Sequence, residues 1–182
     1  MHDKHLTELA ERRTLNLDSE AATQSLGAAL SAQLTPGMVI WLEGDLGAGK
    51  TTLVRAMLKS AGETGSVKSP TYTLVEVHPI SGLNFYHFDF YRFIAPEEYL
   101  DAGLDEYFDG NGICLVEWPD KAAPYIPAAD LQISLSVDTD GNNVDDSKRI
   151  AQFVAHTARG KLCLKAIFPP TAAPHLSSPP PV

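Results

Sequence analysis

Four residues at a characteristic spacing carry the clearest chemistry in this chain. Gly44, Gly49, Lys50 and Thr51 match Gly-x-x-x-x-Gly-Lys-Thr, the pattern of a phosphate-binding P-loop. Glycines allow successive backbone N–H groups to converge on phosphate oxygens, where they act as a fixed partial positive charge. Lys50 would add a full charge over the β- and γ-phosphates, and the Thr51 hydroxyl would ligate the Mg²⁺ that neutralises them. The motif predicts a nucleotide-phosphate site.

The residues on either side of the motif predict the elements that must position it. An apolar run over residues 38–42 precedes the loop and favours a strand. The apolar residues after the loop recur at helical spacing, and a glycine follows them: Leu53, Val54, Met57, Leu58, Ala61 and then Gly62. A helix beginning there would direct the positive end of its dipole at the phosphates. We expect a strand–loop–helix unit whose Lys50 side chain is exposed in the absence of phosphate.

Hydrolysis or phosphoryl transfer also needs an acid for Mg²⁺ and a group that orients the nucleophile. Glu117 ends the short apolar run 113–116, and ligands of parallel sheets bind at the carboxyl ends of strands, so Glu117 fits the metal best. Asp89 lies in an aromatic-rich strand, where an unpaired carboxylate is costly to bury. We therefore expect it to have a partner: a metal, a metal-bound water, Arg92 or His87. A turn cap for Glu117 and a structural ion pair for Asp89 are the alternatives.

Two further positions are candidates for sensing or contacting a nucleotide. Thr71 lies in the segment after the P-loop helix, where many P-loop proteins carry a switch that senses the γ-phosphate. The β-propensity of threonine explains its presence equally well. Trp118 follows Glu117 and could stack on a base or a partner, or be an ordinary core or rim tryptophan.

Composition restricts the class of protein. The chain has 182 residues, 44% of them hydrophobic, which is enough for one core. Its net charge of −9 argues against autonomous nucleic-acid binding, which depends on Lys and Arg. No apolar run approaches the roughly 20 residues of a membrane helix, and the charged N-terminus has no signal-peptide pattern. Cys114 and Cys163 lie in apolar segments and are expected to be core thiols of a cytoplasmic protein.

The chain divides into a flexible segment 1–13, one domain over 14–168 and a disordered proline-rich tail over 169–182. Within the domain we predict an edge strand containing Leu15 and Leu17, then a helix capped by Asp18 or Ser19. Two strands around a turn at 79–82 predict a β-hairpin, which makes the sheet mixed. A helix is expected over 96–108 and a strand over 131–137. Residues 148–156 could be strand or helix. The segment 162–168 stays ambiguous.

Four sequence blocks together resemble the TsaE family, the bacterial ATPases required to make threonylcarbamoyl-adenosine in tRNA. These blocks are residues 44–52, 69–75, 87–92 and 116–119. The resemblance implies an α/β, P-loop NTPase-like three-layer fold with a mixed, mostly parallel central sheet and a β-hairpin insertion. It also favours a strand over residues 148–156. It further implies that the protein hydrolyses ATP weakly by itself and acts on a complex of TsaD and TsaB. Contact with tRNA would be indirect, through that complex.

The resemblance also implies roles for particular residues, with ATP or ADP and Mg²⁺ as cofactors. The catalytic residues would be Lys50, Asp89 and Glu117. Thr51 and Glu117 would hold Mg²⁺, while Asp89 would support the metal or the attacking water. Thr71 would be the switch threonine, and Trp118 would lie by the nucleotide or the partner surface. The residues implied to hold the phosphates are those of the loop: Gly44, Asp45, Leu46, Gly47, Ala48, Gly49, Lys50, Thr51 and Thr52.

Three other functions remain open. A small-molecule P-loop kinase would need an arginine-bearing lid over the transferred group, and Arg92 is the only arginine between Arg55 and Arg149. A GTPase would normally carry Asn-Lys-x-Asp, and that motif does not occur in this sequence. A nucleotide-binding module without turnover is the third, because no hydrolytic base is evident; a partner could supply the activating group.

Overall fold

The computed structural model describes residues 11–140 and 143–169, with the backbone alone over 139–140 and 143–147. The predicted flexibility of residues 1–10 and disorder of residues 170–182 concern positions outside that range. The strands are β1 (Glu11–Leu17), β2 (Val39–Glu43), β3 (Val75–Ile80), β4 (Leu83–Asp89), β5 (Ile113–Glu117), β6 (Leu131–Asp140) and β7 (Asn143–Ala155). The helices are α1 (Glu20–Ser31), α2 (Lys50–Ala61), α3 (Glu98–Asp101) and α4 (Ala158–Ile167), with 3₁₀ turns over Leu104–Phe108 and Pro119–Lys121.

The strands form one seven-stranded sheet in the order β1-β7-β6-β2-β5-β4-β3. The four central strands, β6, β2, β5 and β4, are parallel to one another. Antiparallel strands complete both edges: β3 pairs with β4, β7 with β6 and β1 with β7. The predicted mixed sheet with its hairpin is confirmed. Because β2 lies in the middle, the loop that follows it opens at the carboxyl edge of the parallel strands.

Separate apolar cores cover the two faces of the sheet. Successive strand residues point to opposite faces, so Ile40 and Leu42 belong to one core and Val39 and Trp41 to the other. Helices α1, α2 and α4 cover the first face with Leu26, Leu30, Leu53, Met57, Cys163 and Leu164. The second face is covered by α3 and the 3₁₀ turn after it, with Tyr99 and Leu104. These three layers confirm the predicted architecture.

The first and last elements of the domain form at or near the residues that carry their sequence signals. β1 is an edge strand, as predicted, but it begins at Glu11, inside the segment 1–13 that we expected to be flexible. The Ser19 hydroxyl caps α1 by accepting a hydrogen bond from the Ala22 N–H, 3.2 Å away. The strand predicted over 148–156 is confirmed as part of β7. The ambiguous segment 162–168 belongs mostly to α4, which Thr157 caps.

Two predicted elements differ from the structure. The helix expected over 96–108 is wrong, because Gly103 adopts a left-handed conformation (φ 64°) that separates α3 from a 3₁₀ turn. The hairpin turn is shorter than predicted and consists of Ser81 and Gly82, both at positive φ. Pro79 therefore lies inside β3, which tolerates a proline because β3 is an edge strand.

The two cysteines are buried and free, as expected for core thiols. Burial raises the pKa of Cys114 to about 12 and that of Cys163 to about 11. Both thiols therefore stay protonated at neutral pH. Among the described residues, no helix has the length and apolar character needed to cross a membrane.

Candidate functional site

The loop between β2 and α2 has the backbone that its glycines predict. Gly44, Gly47 and Gly49 have φ values of 129°, 81° and 105°, a region that side chains disfavour. Gly44 is also crowded, since a Cβ atom there would lie 2.1 Å from the carbonyl oxygen of Leu135 on β6. No atom lies within 4 Å of a Cβ placed on Gly47. The first glycine is therefore required by both conformation and space.

Gly44→Ala is expected to lose about 3 kcal/mol of unfolding free energy, because the methyl group adds a backbone clash to left-handed strain. Gly47→Ala is the matched control, with strain but open space, and should lose about 1–2 kcal/mol. Urea denaturation of the two variants measures the difference. Equal losses would show that the approach of Gly44 to β6 has no energetic consequence.

Lys50, the first residue of α2, is buried, with only 4% of its surface exposed. Its Nζ atom donates hydrogen bonds to the carbonyl oxygens of Gly44 (2.6 Å) and Asp45 (2.9 Å). The same atom lies 4.0 Å from the centroid of the Trp118 ring. The expectation of an exposed lysine is therefore wrong. The ammonium needs partners, and the loop carbonyls and an aromatic face supply them.

Burial lowers the pKa of Lys50 from its ordinary value, because desolvation disfavours the charged form. Nearby carboxylates oppose this shift: Glu117, Asp89, Asp45 and Asp120. A cation at the start of a helix, surrounded by carboxylates, is an arrangement suited to an anionic ligand bearing its own metal ion.

Glu117 lies at the centre of a buried polar chain. The Thr51 hydroxyl donates to its carboxylate, 2.8 Å from Oε1 and 3.1 Å from Oε2. On the other side, His87 Nε2 lies 2.8 Å from Glu117 Oε1. His87 Nδ1 has no partner among the described residues, so Nε2 is the ring nitrogen placed to donate its proton to Glu117. Glu117 and His87 are buried, at 2% and 0% exposed, whereas Thr51 is half-buried at the cleft.

The parallel pairing of β4 and β5 explains why these residues meet. Asp89 is opposite Glu117 in the register, and both close their strands at the edge where α2 begins. His87 precedes Asp89 by two residues and therefore lies on the same face of β4. That spacing was the available signal for His87, which we expected to be one of the candidate partners of Asp89.

Asp89 has partners other than the side chains we named. One carboxylate oxygen accepts hydrogen bonds from the hydroxyls of Ser69 and Thr71, the latter at 3.0 Å. The other accepts from the backbone N–H of Tyr91 at 2.9 Å. The expected contact to His87 or Arg92 is wrong, since His87 reaches Glu117 and the Arg92 guanidinium lies 4.2 Å over the Tyr72 ring. Asp89 thus anchors the segment that carries Thr71.

Trp118 leaves β5 in a left-handed conformation (φ 58°, ψ 50°), which is rare for a residue with a large side chain. Its backbone N–H donates a hydrogen bond to Leu42 O at 3.3 Å, and this bond holds the turn against β2. The ring packs against Tyr91, with centroids 5.1 Å apart, and covers Lys50. Local strain of this kind is typical of functional sites.

The residues named above enclose an open cleft of about 300 Å³. Its lining contains most of the predicted set together with Ser69 and Tyr91: Leu46, Gly47, Gly49, Lys50, Thr51, Thr52, Ser69, Thr71, Asp89, Tyr91, Glu117 and Trp118. Of the remaining predicted residues, Gly44 and Asp45 meet Lys50 through their carbonyls. Ala48 faces a neighbouring cavity of about 420 Å³, which Thr52, Glu20, Thr23 and Arg149 also line.

The oxygen ligands near the N-terminus of α2 are suited to Mg²⁺. Thr51 and Glu117 offer a hydroxyl and a carboxylate, the hard oxygen ligands that Mg²⁺ prefers. Within residues 11–140 and 143–169, no group of three or more His, Cys, Asp or Glu side chains is arranged to hold a metal. Mg²⁺ bound to nucleotides commonly uses one or two protein ligands, with phosphate oxygens and waters completing its shell.

Comparison with known proteins shows which family this chain is related to. The family model "Threonylcarbamoyl adenosine biosynthesis protein TsaE" matches residues 17–149. The chain is 43% identical over 129 residues to the Haemophilus influenzae "tRNA threonylcarbamoyladenosine biosynthesis protein TsaE", covering 71% of this chain and 77% of that protein. The Bacillus subtilis protein of the same name is 44% identical over 121 residues, which are 66% of this chain and 73% of the relative. A crystal structure of Bacillus subtilis YdiB superposes with a TM-score of 0.73 at 30% identity, covering 88% of this chain and 97% of that one. The chain therefore belongs to the TsaE family of threonylcarbamoyl adenosine biosynthesis proteins.

Proposed function

We propose that this protein binds ATP with Mg²⁺ and hydrolyses it, and thereby supports threonylcarbamoyl transfer to tRNA adenosine by acting on a TsaD–TsaB complex. The observation that carries the proposal is the convergence of Thr51 and Glu117, 2.8 Å apart, at the start of the P-loop helix. A hydroxyl and an acid at this point are the pair that P-loop nucleotidases use for their metal. The names of the curated relatives support the pathway.

Each residue of the cleft has a task in binding the nucleotide. The loop N–H groups and the dipole of α2 would hold the α- and β-phosphates, and Lys50 would leave the carbonyls of Gly44 and Asp45 for oxygens of the β- and γ-phosphates. Thr51 and Glu117 would hold Mg²⁺, which neutralises charge on the transferred phosphoryl group.

The Asp89 cluster offers a way to couple the γ-phosphate to a partner. Asp89 ties Ser69 and Thr71 to the end of β4, and this cluster lines the cleft. A γ-phosphate or a water positioned by Asp89 would compete for the same hydroxyl groups, so ATP and ADP would favour different arrangements of residues 69–71. Hydrolysis would then change the arrangement of residues 69–71, and the partner would respond to that change.

Exposed apolar side chains near the cleft mouth support a protein partner. Leu46, in the loop, is 74% exposed and Tyr72, beside Thr71, is 82% exposed. Such residues at the edge of a functional cleft are typical of interaction surfaces. The net charge of −9 disfavours direct binding to tRNA, so RNA would be met through the complex.

ATP hydrolysis by the purified protein, alone and with TsaD and TsaB, tests the proposal. We expect slow turnover alone and an increase of about tenfold or more with both partners, since they would complete or stabilise the reactive arrangement. Reactions with EDTA, with TsaD alone and with TsaB alone are the controls. Negligible turnover under every condition would refute the ATPase function.

The same preparation separates the competing functions. Transfer of the γ-phosphate to a small hydroxyl compound would favour the kinase, and displacement of ATP by equimolar GTP would favour the GTPase. ATP binding without turnover in any mixture would leave a nucleotide-binding module.

A further inference from the structure

Arg149 lies outside the cleft against the P-loop, and no motif singled it out. Its Nε atom donates to the carbonyl oxygen of Ala48 at 3.1 Å, and one terminal nitrogen donates to Gly47 O at 3.3 Å. The other terminal nitrogen donates to Lys148 O at 2.9 Å. Nε is also 4.0 Å from the position a Cβ would take on Gly49. The guanidinium thus lies along the second half of the loop.

The topology of the sheet brings this arginine to the loop. β7 runs antiparallel to β6, so its early residues lie at the carboxyl edge of the parallel strands, where the loop opens. Arg149 is paired with Val137 of β6 and Leu17 of β1, beyond the last β2 residue that pairs with β6. A residue 99 positions after Lys50 therefore contacts the same loop from its outer side.

Lys50 and Arg149 contact different carbonyl oxygens of the loop. A phosphate-binding loop directs its N–H groups inward, so its carbonyl oxygens point away and need other partners. Lys50 contacts the carbonyls of Gly44 and Asp45, while Arg149 contacts those of Gly47 and Ala48. Lys50 must give up its carbonyls when it binds a phosphate oxygen. The contacts of Arg149 lie on the outer side and are compatible with an occupied loop.

We infer that Arg149 is a positioning residue for nucleotide binding, which holds the Gly47 and Ala48 peptides so that the loop N–H groups face the phosphates. This inference rests on the proposed nucleotide-binding function. Because these amides serve the phosphates common to ATP and ADP, loss of Arg149 weakens both nucleotides by the same factor. The hydrogen bonds that join Ser69, Thr71 and Asp89 are made without Arg149, so the preference between ATP and ADP stays unchanged.

The test is the affinity of wild type, Arg149→Gln and Arg149→Lys for ADP and for a non-hydrolysable ATP analogue, measured by calorimetry with Mg²⁺. Arg149→Gln should weaken both ligands about tenfold, the effect of losing a hydrogen bond from a charged donor. Arg149→Lys should fall between wild type and glutamine, because a lysine can engage a carbonyl but not as a planar fork. The melting temperature of the nucleotide-free variant should stay within about 2 °C of wild type.

Arg159→Gln is a matched control. Arg159 also donates to two backbone carbonyls, those of Pro36 (3.3 Å) and Gly37 (3.2 Å), but at the opposite end of β2. Its loss should leave both affinities within about twofold of wild type, whatever it does to stability. An equal effect of the two glutamine variants on affinity would overturn the inference.

The remaining outcomes are distinguishable. Wild-type protein that binds neither nucleotide refutes the proposed function and this inference together. Wild-type binding with unchanged affinity in Arg149→Gln refutes only the role of Arg149, as does a change in the ratio of ATP to ADP affinity. If Arg149→Gln fails to fold, the nucleotide affinities of Arg149→Lys test the inference instead. Wild-type affinities in Arg149→Lys would count against it.

Discussion

Glu117→Gln is expected to lower ATP turnover by about 10²–10³-fold, the effect of removing one electrostatic group from a preorganised site. Glutamine has the same shape and keeps an oxygen that can accept the His87 Nε2–H bond, so the buried chain should stay assembled. It lacks the negative charge that would hold Mg²⁺ beside Thr51. ADP affinity measured without Mg²⁺ should therefore change little, while the Mg²⁺-dependent gain in affinity should be lost. Steady-state hydrolysis and calorimetry with and without Mg²⁺ measure the two effects.

Glu76→Gln is the matched control for Glu117. Glu76 lies on β3, outside the cleft, with its side chain 43% exposed and 3.7 Å from His78. Removing its charge should leave turnover within about twofold of wild type. Equal turnover in the two variants, or an unaltered Mg²⁺ dependence in Glu117→Gln, would contradict the assignment of Glu117 to the metal.

Lys50→Ala is expected to weaken ATP and ADP binding by roughly 10²-fold or more, since it removes a buried charge that would pair with phosphate. The burial of Lys50 also changes what is expected of stability. A lysine exposed in the empty protein could be truncated with little effect, but the Lys50 side chain is buried, with its ammonium against the Trp118 ring. Truncation to alanine should therefore cost about 1–2 kcal/mol of unfolding free energy through lost packing. Urea denaturation without nucleotide measures this loss.

Two further variants separate packing from charge at Lys50. Lys50→Met keeps the length of the side chain and removes the desolvated charge, so its unfolding free energy should stay within about 1 kcal/mol of wild type while nucleotide binding is still lost. Lys165→Ala truncates an exposed lysine on α4 and should change stability by less than about 0.5 kcal/mol. Equal stability losses in Lys50→Ala and Lys165→Ala would show that the burial of Lys50 contributes nothing.

The elements around the loop were predictable because their signals are local. The apolar run of β2, the helical spacing of α2 and the Ser19 cap of α1 depend on neighbouring residues only. The helix expected over 96–108 failed because its apolar residues have helical spacing on both sides of Gly103. Whether a glycine continues a helix or ends it depends on the packing of the residues that flank it. Here Tyr99 and Leu104 both reach the second core, and a left-handed Gly103 lies between them.

Candidate acids could be named from the sequence, but their partners could not. Glu117 and Asp89 follow from strand-end position and from the cost of burying a charge. The pairing of Asp89 with Ser69 and Thr71, and of Glu117 with His87, depends on the parallel register of β4 with β5 and on the path of residues 62–74. Thr71 and Asp89 are 18 residues apart, and nothing in the sequence near either residue indicates that their side chains form a hydrogen bond.

Spacing alone was enough to identify the P-loop and the family resemblance, because this chemistry needs particular residue types at fixed intervals along one stretch of chain. The burial of Lys50, the position of Trp118 over it and the contacts of Arg149 were decided by the tertiary structure. Each joins the loop to a distant strand: Trp118 through the end of β5, and Arg149 through an antiparallel β7 that returns to the loop. Contacts of this kind depend on strand order and direction, which are set when the whole sheet assembles and its two cores are buried.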